Sequence, residues 1–281
     1  MASPRTLPIT AGAILVDGVI RRHTAVRGDV APDLHPLVRR FLHDLPTHQR
    51  ERFAGWCAET VLISDRLYEA ERAGSGALSA AHARAALWGA QINVVWVREQ
   101  GDPAHGTPYR PCRSCTALLE WCGVEAILDG MAPGYPAPTA PAGMDLARRW
   151  ALALASYAAP DGRHHEVVPA AVDAFTRYGG LSAQPDGPGE QVAPSGFLLD
   201  PMRALHTVST LAAFADALRV KVTPLGVEDD GSGLLVIDEE GRVFVLDPTA
   251  EWFLGDTIGR ALENLVSGRA PARVRQDGAW S

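Results

Sequence analysis

Cys57-Ala58-Glu59 and, 52 residues further on, Pro111-Cys112-Arg113-Ser114-Cys115 constrain the fold of this chain more than any other feature. Three sulfurs from two separated segments can serve one ion only in a fold that brings both segments together. A proline in the first turn of a helix loses no hydrogen bond, and cysteines three apart share one face of that turn. Both sulfurs then reach an ion at roughly 2.3 Å. The helix start also presents unpaired N–H groups and a positive dipole end, which lower thiol pKa and offset thiolate charge. Arg113 stands where it can add to that offset. Cys57 and Glu59 lie near the start of the apolar-periodic run Trp56 to Leu67, so a second helix aims its N-terminus at the same ion. Cys57 then ligates while Glu59 stays free beside an open fourth position.

A closed structural site built from Cys57, Cys112, Cys115 and Cys122 is the alternative. It leaves Glu59 without a role. It also asks for a sulfur about two helical turns, roughly 10 Å, beyond Cys115, where Cys122 suits a small buried apolar side chain better. A disulfide framework does not fit 4 cysteines in 281 residues without a secretion signal. A reducing cytoplasm, where thiolates stay available for zinc, is the expected compartment.

With 47% apolar and 21% charged residues the chain reads as globular, and no apolar run approaches a membrane span. Its length allows two domains, each with its own core. Charge separates them: residues 1–130 balance 14 arginines with 14 acids, whereas residues 131–281 set 12 basic groups against 19 acidic ones. A backbone-gripping nucleic-acid binder usually carries a basic stripe. A neutral first half beside an acidic second half therefore points to a small substrate over nucleic acid.

Ala13 to Val16 and Val19 to His23 flank Asp17-Gly18, a strong hairpin signal. Leu37 to Leu42 reads as a short helix, Ser79 to Trp88 as another capped by Ser79, and Ile92 to Val97 as a buried strand. The Cys112 helix ends at Gly123, and Val124 to Leu128 forms a further strand. Met131 to Gly143, with four prolines and two glycines, is the expected linker between domains 1–130 and 144–281. Beyond it Pro169 to Tyr178 and Thr207 to Leu218 read as helices. Lys221 to Val227, Leu234 to Asp238 and Val243 to Leu246 read as strands, and Asp256 is expected to cap a last helix ending at Gly268. This suggests a compact α+β module. Trp88, Trp96 and Trp121 are expected in the core, His164-His165-Glu166 as a solvated turn, and Asp229 to Gly233 as a turn.

From Ala13-Ile14-Leu15-Val16-Asp17-Gly18 through Cys57-Ala58-Glu59 to Pro111-Cys112-Arg113-Ser114-Cys115, the first half resembles the YwqJ-like branch of the cytidine-deaminase fold, found in bacterial polymorphic toxins and stand-alone actinobacterial proteins. The second half resembles the SUKH superfamily, whose members serve as immunity or protein-interaction modules. That likeness rests on Phe175 to Leu181, Leu225-Gly226-Val227-Glu228, Val243-Phe244-Val245-Leu246-Asp247 and Trp252-Phe253-Leu254-Gly255-Asp256. The resemblance implies a three-layer α/β/α deaminase sandwich followed by a SUKH-like α+β domain. It makes Cys57, Cys112 and Cys115 zinc ligands and Glu59 the general acid/base of a hydrolytic deaminase.

A cytosine or cytidine-type base, free, as nucleoside or as nucleotide, is the expected substrate. His23, Thr24 and Trp56 are candidates to contact it, Trp56 by stacking. Two other readings stand beside this one: a deaminase of single-stranded nucleic acid related to toxins, and a catalytically silent SUKH-type immunity or interaction protein. The acidic domain is also placed to inhibit the active site of its own chain or of a neighbour.

Overall fold

The computed structural model describes residues 7–74, 77–130, 142–229 and 231–280, so all but the last two residues of the expected linker lie outside it. The chain starts with the hairpin of β1 (Ile9–Val16) and β2 (Val19–Thr24). Asp17 and Gly18 turn it with φ of 49° and 77°, the paired positive values that match the strand twist. β1 also pairs antiparallel with β3 (Gln91–Val97), which takes β4 (Glu125–Ala126) in parallel, giving the order β2-β1-β3-β4.

Thr10, Gly12, Ile14 and Val16 of β1 share a face with Ile92, Val94 and Trp96 of β3. Against it gather α1 (Pro36–His43), α2 (Ala58–Ala73), α3 (Ala80–Ala86) and α4 (Arg113–Cys122), in one apolar core with Val38, Leu62, Leu87 and Leu118. The reverse face, with Ala11, Ala13, Leu15 and Asn93, is half-buried to exposed, so the described residues supply the sheet and one helical layer of the three layers expected. Gly12 positions the site. A Cβ there would stand 3.1 Å from Leu62 and 3.2 Å from Ala58, so its absence lets the first turn of α2 press against the sheet.

Ser79 caps α3 by accepting from the His82 amide at 3.2 Å. The helix stops at Ala86, however, and Leu87 takes the core position, so Trp88 is 83% exposed and is not a core residue. Trp96 is buried and Trp121 partly buried, as their apolar surroundings require.

The C-terminal part is a seven-stranded antiparallel sheet, ordered β11-β10-β9-β8-β7-β6-β5. Its centre is β7 (Val222–Glu228), β8 (Gly233–Asp238) and β9 (Val243–Leu246), every residue of which is buried. β10 (Glu251–Gly255) and the two-residue strands β5 (Ser182–Ala183), β6 (Phe197–Leu198) and β11 (Ala272–Arg273) extend it beyond the three strands expected. One face packs α5 (Met144–Ser156), α6 (Pro169–Tyr178) and α8 (Ile258–Ser267), and the other packs α7 (Val208–Leu218). α5 was not anticipated; it buries Leu146, Ala147, Trp150 and Leu154 along one side. The cap of α8 is Thr257, whose hydroxyl accepts from the Arg260 amide at 3.3 Å, and not Asp256. Among the described residues no helix is long and apolar enough to cross a membrane.

Candidate metal centre and active site

Cys57 is the N-cap of α2 and Cys112 the N-cap of α4. Pro111 therefore precedes the cap and does not occupy the first turn; the Cys112 sulfur takes that place and accepts from the Cys115 amide at 3.5 Å. Two helix N-termini converge, each directing unpaired N–H groups and a positive dipole end at the same point. The Sγ atoms of Cys57, Cys112 and Cys115 all lie within 4.8 Å of one another. Sulfurs around a tetrahedral ion at roughly 2.3 Å stand about 3.8 Å apart, and the Cys57–Cys112 separation is 3.8 Å. The donor set fits zinc. Cys122 is outside this group, buried in the separate core of the N-terminal domain, which removes the four-thiol alternative.

The three thiols are electrostatically unequal. The Cys112 thiol is held well below the usual thiol range by hydrogen bonds from Cys115 and Cys57 and from the backbone amides of Cys115 and Ser114. Cys57 is pushed up by its hydrogen bonds to Cys112 and Cys115 and by burial. Cys115 is also pushed up, first by Cys112.

Glu59 follows Cys57 by two residues and has no exposed surface. Among the described residues neither carboxyl oxygen has a hydrogen-bond partner on another residue. Burial, and then the charge on Cys112, push its pKa up to about 8. A carboxyl buried without such partners beside three sulfurs is costly to the fold. Its placement suits a ligand that binds there.

Arg113 does not serve the thiolates as expected. At the first helical position after the Cys112 cap its guanidinium runs outward, donating to the Pro194 carbonyl at 2.8 Å and pairing with Glu51 at 3.7 Å and Asp229 at 3.8 Å. Backbone amides do the compensating instead. Trp56 is covered: the Arg273 guanidinium of the C-terminal domain lies 3.9 Å from its ring centroid, on a face expected to stack a base. His23 pairs with Gly12 and so points toward α2, but its Nδ1 is engaged 2.5 Å from the Thr24 carbonyl. Thr24 is exposed, at the adjacent strand position that faces the other way.

Several neighbours of the site carry no sequence signal. Tyr109 reaches it because its amide donates to the Val94 carbonyl at 2.7 Å, extending the β3 pairing into a loop. Burial and the charges of Cys112, Cys57, Glu59 and Asp247 push its phenol up. Asp247 belongs to the C-terminal domain. So do most residues of the apolar cluster that contains Phe53, Cys57 and Cys115, among them Trp252 and Leu254. Glu51, beside Cys112, is pushed up to about 8 by burial and then by the thiolate. The His164-His165-Glu166 segment holds no metal cluster: His165 Nε2 lies 2.9 Å from the Leu205 carbonyl, and Glu166 pairs with Lys221 at 3.4 Å.

Comparison with known families agrees with this layout. Residues 3–124 match the model of the YwqJ-like deaminase, and residues 142–268 match that of the SUKH-3 immunity protein. Searches of curated proteins and of solved structures returned no match. The chain is therefore a fusion of a YwqJ-like deaminase domain with a C-terminal SUKH-3 immunity domain.

Proposed function

We propose that the chain is a zinc-dependent hydrolytic deaminase of an amino-substituted nucleobase, held closed in this conformation by its own SUKH-3 domain. The observation that carries the reading is Glu59: a fully buried carboxyl whose two oxygens have no hydrogen-bond partner on another described residue, beside three sulfurs spaced for one ion. Cys57, Cys112 and Cys115 would hold the zinc, which when bound supplies the Lewis acidity that makes water a nucleophile near neutral pH. Glu59 takes the proton from the attacking water, passes it to the ring nitrogen, and returns a proton to the amino group that leaves as ammonia. The net change replaces a ring C–NH2 by C=O with consumption of one water.

Closure follows from the packing of C-terminal residues around the thiols and of Arg273 over Trp56. Substrate entry requires this cover to move. The direct test is zinc content together with ammonia release from free bases, nucleosides, nucleotides and single strands, for the native chain and for Glu59→Gln. Zinc retained and ammonia release abolished in the variant is the expected result. Undiminished release with full metal would remove Glu59 from the chemistry.

A further inference from the structure

Three arginines of the deaminase domain, Arg27, Arg52 and Arg113, each meet a carboxylate of the SUKH-3 domain. Arg52, five residues before Cys57, donates from Nη1 and Nη2 to the two oxygens of Glu228 at 2.5 and 2.7 Å, and from Nη2 to Asp247 at 2.9 Å. Arg27 donates to the Asp247 carbonyl at 2.7 Å and is paired with the Glu251 carboxylate. It follows Val26, whose amide donates to the carbonyl of Trp56 beside Cys57. Arg113, next to Cys112, is shared between Asp229 at 3.8 Å and Glu51 of its own domain at 3.7 Å.

Glu228 closes β7 and Asp229 follows it, Asp247 follows β9, and Glu251 opens β10; in an antiparallel sheet these positions share one end. One sheet end thus presents a row of carboxylates to three arginines of the deaminase domain. Two parallel N–H groups on two oxygens is the geometry by which arginine also grips phosphate. Buried ion pairs add little net stability, so cohesion between domains alone gives no reason to bury Arg52 and Arg27 against carboxylates here. The balanced total charge of residues 1–130 conceals a local concentration of basic groups on this face.

We propose that Arg27, Arg52 and Arg113 bind the phosphates of the substrate, and that the SUKH-3 carboxylates occupy those phosphate positions in the closed chain. The inference rests on the deaminase reading for the word substrate, but not for the binding itself. It narrows the expected substrate, a free base, nucleoside or nucleotide, to one that carries phosphate. Phosphate reaches the site either from a single strand or from a free mononucleotide.

The test uses the full chain carrying Glu59→Gln, so that nothing turns over, and measures anisotropy of a fluorescent single-stranded oligocytidylate, with CMP as competitor. Adding Glu228→Gln and Glu251→Gln should tighten oligonucleotide binding about tenfold or more. Three arginine contacts give a salt slope near −2, a loss of about 20-fold between roughly 50 and 200 mM salt. Arg52→Gln with Arg113→Gln in that background should abolish the gain. Should the Glu228 variant misfold with Arg52 partly uncompensated, Asp229→Asn with Glu251→Gln opens two arginines and leaves the Arg52 pairs intact. Strong binding of the strand with weak competition by CMP assigns a nucleic acid, and equal competition per phosphate assigns a mononucleotide. Folded variants that bind neither, or a gain that survives loss of the arginines, overturn the proposal. Strand binding by chains that release no ammonia when Glu59 is intact would sink the deaminase reading and leave this one standing. Turnover of cytidine alone, with no phosphate binding, would do the reverse.

Discussion

The deaminase domain treats its two ends differently. Where its sheet meets its helices, Ile14, Leu62, Leu87, Ile92 and Leu118 form a core drawn from that domain alone. At the N-terminal tips of α2 and α4, Phe53, Cys57 and Cys115 belong to a cluster made mostly by the SUKH-3 domain. The scaffold is private and the chemical end is shared. A domain so arranged can keep its fold while a neighbour controls access to its thiols.

Four predictions set these regions against each other. The largest effect belongs to the shared end: Glu59→Gln should lower turnover by about 10²-fold to 10⁴-fold, the usual worth of a positioned acid/base, while zinc content stays unchanged. A loss below tenfold in a zinc-loaded variant would place the proton transfer elsewhere. In the private core, Leu118→Ala removes a fully buried side chain and should cost roughly 2–5 kcal/mol by denaturant unfolding. An unfolding midpoint equal to the native one would show that this core does not hold the domain.

The seam should respond in the opposite sense. Glu228→Gln weakens the cover at Arg52 and should raise ammonia release about tenfold, since roughly 1.4 kcal/mol shifts an open population by that factor. Unchanged or slower release from a folded variant would make the contact structural. The smallest effect is expected at Trp88, which is exposed and belongs to neither cluster: Trp88→Ser should change stability by less than about 0.5 kcal/mol.

What the sequence disclosed follows from how local each determinant is. The metal motif was readable because a cysteine at a helix N-cap carries its own backbone environment, so Cys57, Cys112 and Cys115 could be grouped without knowing the topology. The hairpin at Asp17-Gly18 and the three central C-terminal strands were readable for the same reason, through turn chemistry and continuous apolar runs. Two-residue strands have no period to read. α5 keeps helical spacing at Leu146, Trp150 and Leu154, but an adjoining stretch rich in proline and glycine masks that signal.

Tyr109, the cover of Arg273 over Trp56 and the destination of Arg113 were illegible because partners distant in sequence decide them. Net charge carries no information on position. It averaged Arg27, Arg52 and Arg113 with acids elsewhere in the domain, whereas the structure gathers these three at one seam.

X-ray absorption at the zinc edge of the full chain tests the central claim most directly. The account predicts one zinc per chain with three sulfurs at about 2.3 Å and one lighter oxygen or nitrogen atom. A shell of four sulfurs, or a chain that binds no zinc, would contradict it.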